Sequence, residues 1–119
     1  MRILQTHVDY IEYEPIRKEI DSAESVEMRK YRVTDALVLF TSVEKGDDGP
    51  TAVRAMGEIK EFLGKIKCNK VLIYPFAHLS RDLAKPRDAL EVLNAMEKRA
   101  KELGLEVSRS PFGWNKAME

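Results

Sequence analysis

Several things are scarce in this sequence of 119 residues, and each scarcity removes a class of protein. There is one cysteine, Cys68, so no disulfide can form within the chain and a reducing compartment is expected. There are two histidines, His7 and His78, too few for a histidine-built metal centre. Neither charge dominates, since 20 basic residues balance 20 acidic ones. A protein that grips nucleic acid through bulk positive charge is therefore excluded, and any contact with RNA would use a local patch or an attached domain. No apolar run approaches the roughly 20 residues of a membrane span. The apolar stretch at the N-terminus is also too short for a secretory signal. The expectation is a cytoplasmic protein with no membrane association.

What is present suits one domain. The hydrophobic fraction of 44% can fill a single core, and the length falls within the usual roughly 100–150 residues of a domain. We read residues 1–119 as one unit, with no repeat, linker or low-complexity tract.

Hydrophobic periodicity divides the chain. Arg2 to Val8 reads as a strand and Ile11 to Glu14 as a second, with a turn at Asp9-Tyr10 and a stop at Pro15. Residues 16–33 are charged and weakly periodic, and read as helix or irregular crossover. Ala36 to Val43 is continuously apolar, as in a strand buried on both faces. The turn signal Gly46-Asp47-Asp48-Gly49-Pro50 follows.

A helix is predicted over about 50–67, because Ala52, Met56, Ile59, Leu63 and Ile66 recur at helical spacing. Val71 to Tyr74 reads as a short buried strand. A second helix starts at Pro86, a residue suited to a first helical position, and stops at Gly104. Glu106 to Arg109 and Phe112 to Met118 close the sheet. The fold class expected is α/β, a mixed β-sheet covered by two main helices. The charge runs at 58–61 and 97–102 read as solvated helix faces.

Three segments could carry chemistry. His7 and Asp9 share a strand face, but no neighbouring cluster completes the three protein ligands that zinc needs. His7 therefore reads as a hydrogen-bonded structural residue or as part of a substrate pocket. The stretch Tyr74-Pro75-Phe76-Ala77-His78-Leu79-Ser80 puts an apolar loop and a histidine at the C-terminal end of a buried strand, where ligands of open α/β sheets collect. His78 there is either a proton-handling group or a core residue. Ser80 lacks a nucleophile-elbow pattern. In Ser110-Pro111-Phe112-Gly113-Trp114-Asn115-Lys116-Ala117, Trp114 and Lys116 share a strand face. Trp114 could stack on a base and Lys116 could hold an oxyanion, or both could be edge-strand residues with a packing role.

The opening Arg2 to Glu14 and the segments Ser42-Val43-Glu44-Lys45, Tyr74 to Ser80, Leu83-Ala84-Lys85-Pro86, Ala95 to Gly104 and Pro111 to Ala117, in this order, resemble the N-terminal editing domain of archaeal threonyl-tRNA synthetases. The resemblance implies a D-aminoacyl-tRNA deacylase-like fold, a homodimer and no cofactor or metal. It also implies an aminoacyl-tRNA ester hydrolase that removes serine from the threonine tRNA.

On that resemblance, Lys116 and His78 are catalytic. Lys116 steadies the attacking water or the oxyanion, and His78 orients the network. His7, Val43, Pro75, Ala77, Phe112, Gly113, Trp114 and Asn115 contact the aminoacyl-adenosine. In particular, the backbone of Ala77 and Phe112-Gly113 holds the amino acid, and Val43 and Pro75 touch the adenosine. The partners implied are the 3′-terminal aminoacyl-adenosine of tRNA(Thr) and the catalytic and anticodon-binding domains of the synthetase.

Trp114 and Asn115 depart from the tyrosines that members often carry, which leaves selectivity open. The chain also ends at Glu119, before a glutamate that longer relatives place near the adenosine. Two other readings stay open: removal of D-amino acids, and binding of an aminoacyl-adenosine without turnover. The absence of the deacylase signatures Ser-x-Gln-x-Thr and Asn-x-Gly-Pro-x-Thr favours the synthetase branch.

Overall fold

The computed structural model describes residues 1–118. Its elements are β1 (Arg2–Lys18), β2 (Tyr31–Ser42), α1 (Gly49–Ile66), β3 (Lys70–Pro75), a 3-10 turn (Ala77–Leu79), α2 (Pro86–Glu102), β4 (Glu106–Arg109) and β5 (Trp114–Met118). The five strands form one mixed sheet in the order β4-β3-β2-β1-β5. The pairs β2/β3 and β3/β4 are parallel, and β1 pairs antiparallel with both β2 and β5. Each parallel pair is joined through a helix, as a parallel crossover requires.

The two strands expected before Pro15 are a single strand of 17 residues. No turn forms at Asp9-Tyr10, yet the signal read there marks a real irregularity. Asp35, opposite Asp9 across the ladder, takes a left-handed φ of 47°, and the pairing passes from Val8↔Ala36 to Tyr10↔Thr34 without a bridge between them. Up to this point the even-numbered β1 residue Val8 joins the helix-free face. Beyond it the odd-numbered Ile11 and Tyr13 do. Both strands thus turn over together, and a sequence pattern that breaks its alternation need not break its strand. Pro15 does not end β1 either. The partner strand β2 has already run out at Tyr13↔Tyr31, and Pro15 pairs only with Lys116 of β5. A residue with no N–H to donate is tolerated where one edge is unpaired.

The helices follow the expected spans. Asp48 caps α1, accepting the Thr51 N–H at 3.0 Å, while the Thr51 hydroxyl accepts the Asp48 N–H, a reciprocal capping box. Past Leu103, Gly104 takes φ 80° and ends α2. Ala52, Met56, Ile59 and Leu63 of α1 and Ala89, Val92, Leu93, Met96 and Ala100 of α2 bury one stripe each against Leu37, Leu39, Val71 and Ile73 of the sheet.

The second face of the sheet carries a separate aromatic group, with Tyr13 stacked on Tyr31 and Tyr74 edge-on to Tyr13. Ala36 to Val43 is buried throughout, as a strand covered on both faces requires. The charge run in α2 is only partly solvated, since Glu97 accepts from Arg109 at 3.0 Å.

Candidate active site

Parallel strands β2 and β3 end side by side at Thr41↔Pro75, and the chain there splays to either side. β3 breaks at Pro75 because proline removes the next ladder donor, and the 3-10 turn that follows lifts His78 above the sheet. The turn is tied to the end of β2. The Phe76 N–H donates to the Thr41 carbonyl at 2.9 Å, the Ser42 hydroxyl donates to the Phe76 carbonyl, and the Leu79 N–H donates to the Ser42 hydroxyl at 3.2 Å.

Ser80 is a loop pin. Its hydroxyl donates to Glu44 at 2.6 Å and accepts from the Asp82 N–H at 3.0 Å. The Met1 amino group and Ser80 hold the Glu44 carboxyl down at about 2, so it stays an acceptor throughout the neutral range.

A cavity of about 420 Å³ lies beyond the strand ends. Of the residues expected to form the site, His78, Lys116, Val43, Pro75, Ala77, Phe112, Gly113, Trp114 and Asn115 all line it. The β3 loop and the last strand, far apart in sequence, therefore face one space. His7 does not belong to it, and that expectation is corrected. His7 pairs with Leu37 in the middle of β2, where the β2/β3 ladder begins and away from its Thr41↔Pro75 end, and its ring meets Asp35 at 3.3 Å. The tertiary fold also brings Cys68 there, so that donor atoms of His7, Asp35 and Cys68 lie within 4.8 Å of one another, a grouping that His7 and Asp9 gave no sign of. Asp35 is 83% exposed and His7 44%. The cluster is open to solvent, unlike the walled cavity at the other end.

Lys116 dominates the cavity's electrostatics. Its ammonium donates to the Pro111 carbonyl at 2.9 Å and to the Pro75 carbonyl at 3.5 Å, and it sits 4.5 Å from the centre of the Tyr74 ring. An ammonium has three N–H donors, so one is left for a ligand. Burial pushes the Lys116 pKa down to about 8, and the Glu24 carboxylate partly opposes that shift. The Tyr74 hydroxyl is pushed up to about 12 by burial and by Tyr13, so it remains neutral.

One wall of the cavity had no signal in the sequence. Residues 19–24 of the crossover, read there as helix or irregular chain, are irregular and lie along Phe112-Gly113-Trp114. The Glu19 N–H donates to the Gly113 carbonyl at 2.7 Å and the Glu24 N–H to the Phe112 carbonyl at 3.0 Å. The Phe112 N–H donates to the Glu24 carboxylate at 2.9 Å and the Trp114 indole to the Glu24 carbonyl at 2.7 Å. Glu19 and Ile20 line the cavity beside Trp114.

This refines the role that the resemblance assigned to the Phe112-Gly113 backbone. The Phe112 N–H is already engaged and cannot donate to a substrate. The two carbonyls each keep a second lone pair that could accept an ammonium group.

An α/β domain with a small cavity at the C-terminal ends of parallel strands, walled by a histidine turn and a lysine strand, has the form of a ligand-binding or catalytic domain. The chain belongs to the archaea-specific editing domain of threonyl-tRNA synthetase, whose family model matches residues 1–119. It is 50% identical over 118 residues to a threonine-tRNA ligase of Nitrosopumilus maritimus, covering 98% of this chain and 19% of the relative. To that of Cenarchaeum symbiosum it is 50% identical over 117 residues, covering 98% of this chain and 18% of the relative. To that of Thermococcus gammatolerans it is 45% identical over 124 residues, covering all of this chain and 20% of the relative. The chain thus spans about a fifth of the length of these relatives. Among the described residues, no helix is long and apolar enough to cross a membrane.

Proposed function

We propose that this domain hydrolyses the ester of seryl-tRNA(Thr), releasing serine and intact tRNA. The observation that carries the reading is the convergence of Lys116 and His78 on one cavity from two separate segments.

Serine is threonine without a methyl group, a difference worth only about 1–3 kcal/mol to a binding site. A synthetase that must reject serine therefore benefits from a second site that threonine is too large to enter. Water attacks the ester carbonyl, the oxyanion forms beside the Lys116 ammonium, and collapse breaks the ester bond and expels the ribose oxygen, which takes up the proton that the attacking water gives up by way of the neighbouring ribose hydroxyl. His78 orients the water, assisted by the neighbouring ribose hydroxyl. Val43 and Pro75 hold the adenosine, while Ala77 and the free lone pairs of Phe112 and Gly113 hold the amino acid.

In this reading the domain has a D-aminoacyl-tRNA deacylase-like fold, needs no cofactor and acts in the cytoplasm. It meets the terminal aminoacyl-adenosine of the tRNA delivered by the catalytic and anticodon-binding domains. In this reading it works as a homodimer.

The test is release of labelled amino acid from L-seryl-, L-threonyl- and D-seryl-tRNA(Thr). Fast release from L-seryl-tRNA alone supports the reading. Release from L-threonyl-tRNA at a similar rate defeats the sieve. Preference for D-seryl-tRNA moves the activity to D-amino acid removal. Tight binding of a non-hydrolysable seryl-adenosine without any release leaves only a binding module.

A further inference from the structure

We propose that Glu24 is a positioning residue of this site, holding the Phe112–Lys116 segment against the crossover and so fixing where the Lys116 ammonium stands. The proposal rests on Lys116 acting on the substrate.

The geometry is specific. Glu24 touches the segment at three points: its N–H and its carboxylate take the Phe112 carbonyl and N–H at 3.0 and 2.9 Å, and its carbonyl takes the Trp114 indole at 2.7 Å. The carboxylate is itself clamped. Arg109 grips it with two parallel bonds of 2.8 and 2.9 Å, and reaches on to Glu97 at 3.0 Å and Asn94 at 2.9 Å of α2. A forked guanidinium–carboxylate pair fixes direction as well as distance.

Arg109 is only 11% exposed, so solvent loosens the pair little. The α2 helix thus fixes Arg109, Arg109 fixes Glu24, and Glu24 fixes the strand that bears the lysine. The close fit continues at Gly113. Its φ is 83°, and a Cβ there would stand 2.9 Å from Ala23 and Ile20.

Glu24 also acts through charge. The titratable groups that face Lys116 are Glu19 and Glu24 from the crossover, Tyr74 from β3 and His78 from the 3-10 turn, while β1 places Pro15 opposite it. Tyr74 stays neutral, and Glu24 supports the charged form of Lys116 against burial. Removing that charge lowers the pH at which the ammonium loses its proton.

Glu24→Gln, Glu24→Ala and Arg109→Lys separate these roles. The titration midpoint of Lys116 is read by NMR on lysine-labelled protein. The pH profile of kcat/KM is read with seryl-tRNA(Thr). Glu24→Gln still offers an oxygen to the Phe112 N–H, so it is expected to fold, to move the Lys116 midpoint to lower pH and to shift the alkaline fall of kcat/KM with it. Glu24→Ala is expected to lower kcat by roughly 10²-fold, the scale of a 1 Å misplacement. Arg109→Lys keeps the carboxylate charge but loses the fork, so it is expected to lower kcat about tenfold with the Lys116 midpoint unmoved.

An unmoved midpoint in folded Glu24→Gln, or wild-type kcat in Glu24→Ala, overturns the proposal. Should Glu24→Gln fail to fold, wild-type kcat in Arg109→Lys overturns it instead. Failure of the hydrolysis reading would look different: the wild-type protein would release no serine, while the Lys116 midpoint still responded to Glu24.

Discussion

The two histidines are both exposed and lie near opposite ends of the β2/β3 ladder, but their neighbours differ. His78 sits on a turn pinned by Ser42 and faces a cavity whose wall includes the half-buried Lys116. His7 lies at the other end, on an exposed surface with Asp35 and Cys68, where each donor can be solvated. In composition the His7 group has the more familiar set of reactive residue types. What separates the two ends is the cavity beside His78, into which a second segment brings the Lys116 ammonium. A charge acts most strongly where its partner is held in place, and the strand ends flanked by two tied segments provide that condition.

Four results would break or sharpen this contrast. The largest effect belongs to Lys116→Met, expected to slow serine release by about 10²–10³-fold, as loss of an oxyanion donor does. The same change should not weaken the fold at neutral pH. Because burial lowers the Lys116 pKa from 10.5 to about 8, the unfolded chain binds more protons than the folded one between those values. Stability of the wild type should therefore rise with pH through that window, and Lys116→Met should remove the rise. Urea melts at pH 7 and pH 10 check it.

The pH profile follows from the same group. If the ammonium form is the working one, kcat/KM should fall as pH rises through about 8. A rate that instead rises through about pH 8 and then levels, and loses that rise in Lys116→Met, would assign Lys116 the role of a base.

Gly113→Ala comes next. A positive φ and a 2.9 Å approach to Ala23 should cost about 1–3 kcal/mol and displace the strand behind it. Thermal melts and serine release should fall together.

The histidine comparison closes the series, because the smallest expected effect is that of His7. His78→Ala should lower kcat by roughly 10²-fold through lost orientation. His7→Ala, an exposed change, should leave serine release within about twofold of wild type. Equal losses in the two variants would show that the two ends are coupled.

Much of the fold was legible along the chain because its signals are local. The stripes of α1 and α2 follow from 3.6-residue spacing, the α1 cap from Asp48 and Thr51, and the end of α2 from Gly104. The C-terminal end of β3 could be read as a ligand edge for the same reason, since Tyr74-Pro75 ends a buried strand. Two local signals misled. Asp9-Tyr10 looked like a turn and Pro15 like a stop. At Asp9 the break in alternation is shared by Asp35 on the neighbouring strand, and at Pro15 there is no second neighbour to miss the N–H. Neither fact is visible in one segment read by itself.

By itself the sequence determined both helices, β3 and β4, the apolar stripes that had to be buried and the two segments that carry His78 and Lys116, but not the length of β1 or the start of β2. Periodicity, capping and chain-breaking act over only a few residues, so they are written in order along the chain. Tertiary structure decided that Glu24 would meet Phe112 and Arg109, that His7 would stand apart from the cavity beside Asp35 and Cys68, and that the Lys116 ammonium would be half-buried against Pro111, Pro75 and Tyr74. Those outcomes depend on contacts between residues up to 90 positions apart, as in the Glu24–Trp114 bond. Such contacts form only once the sheet has brought its edges and crossovers together.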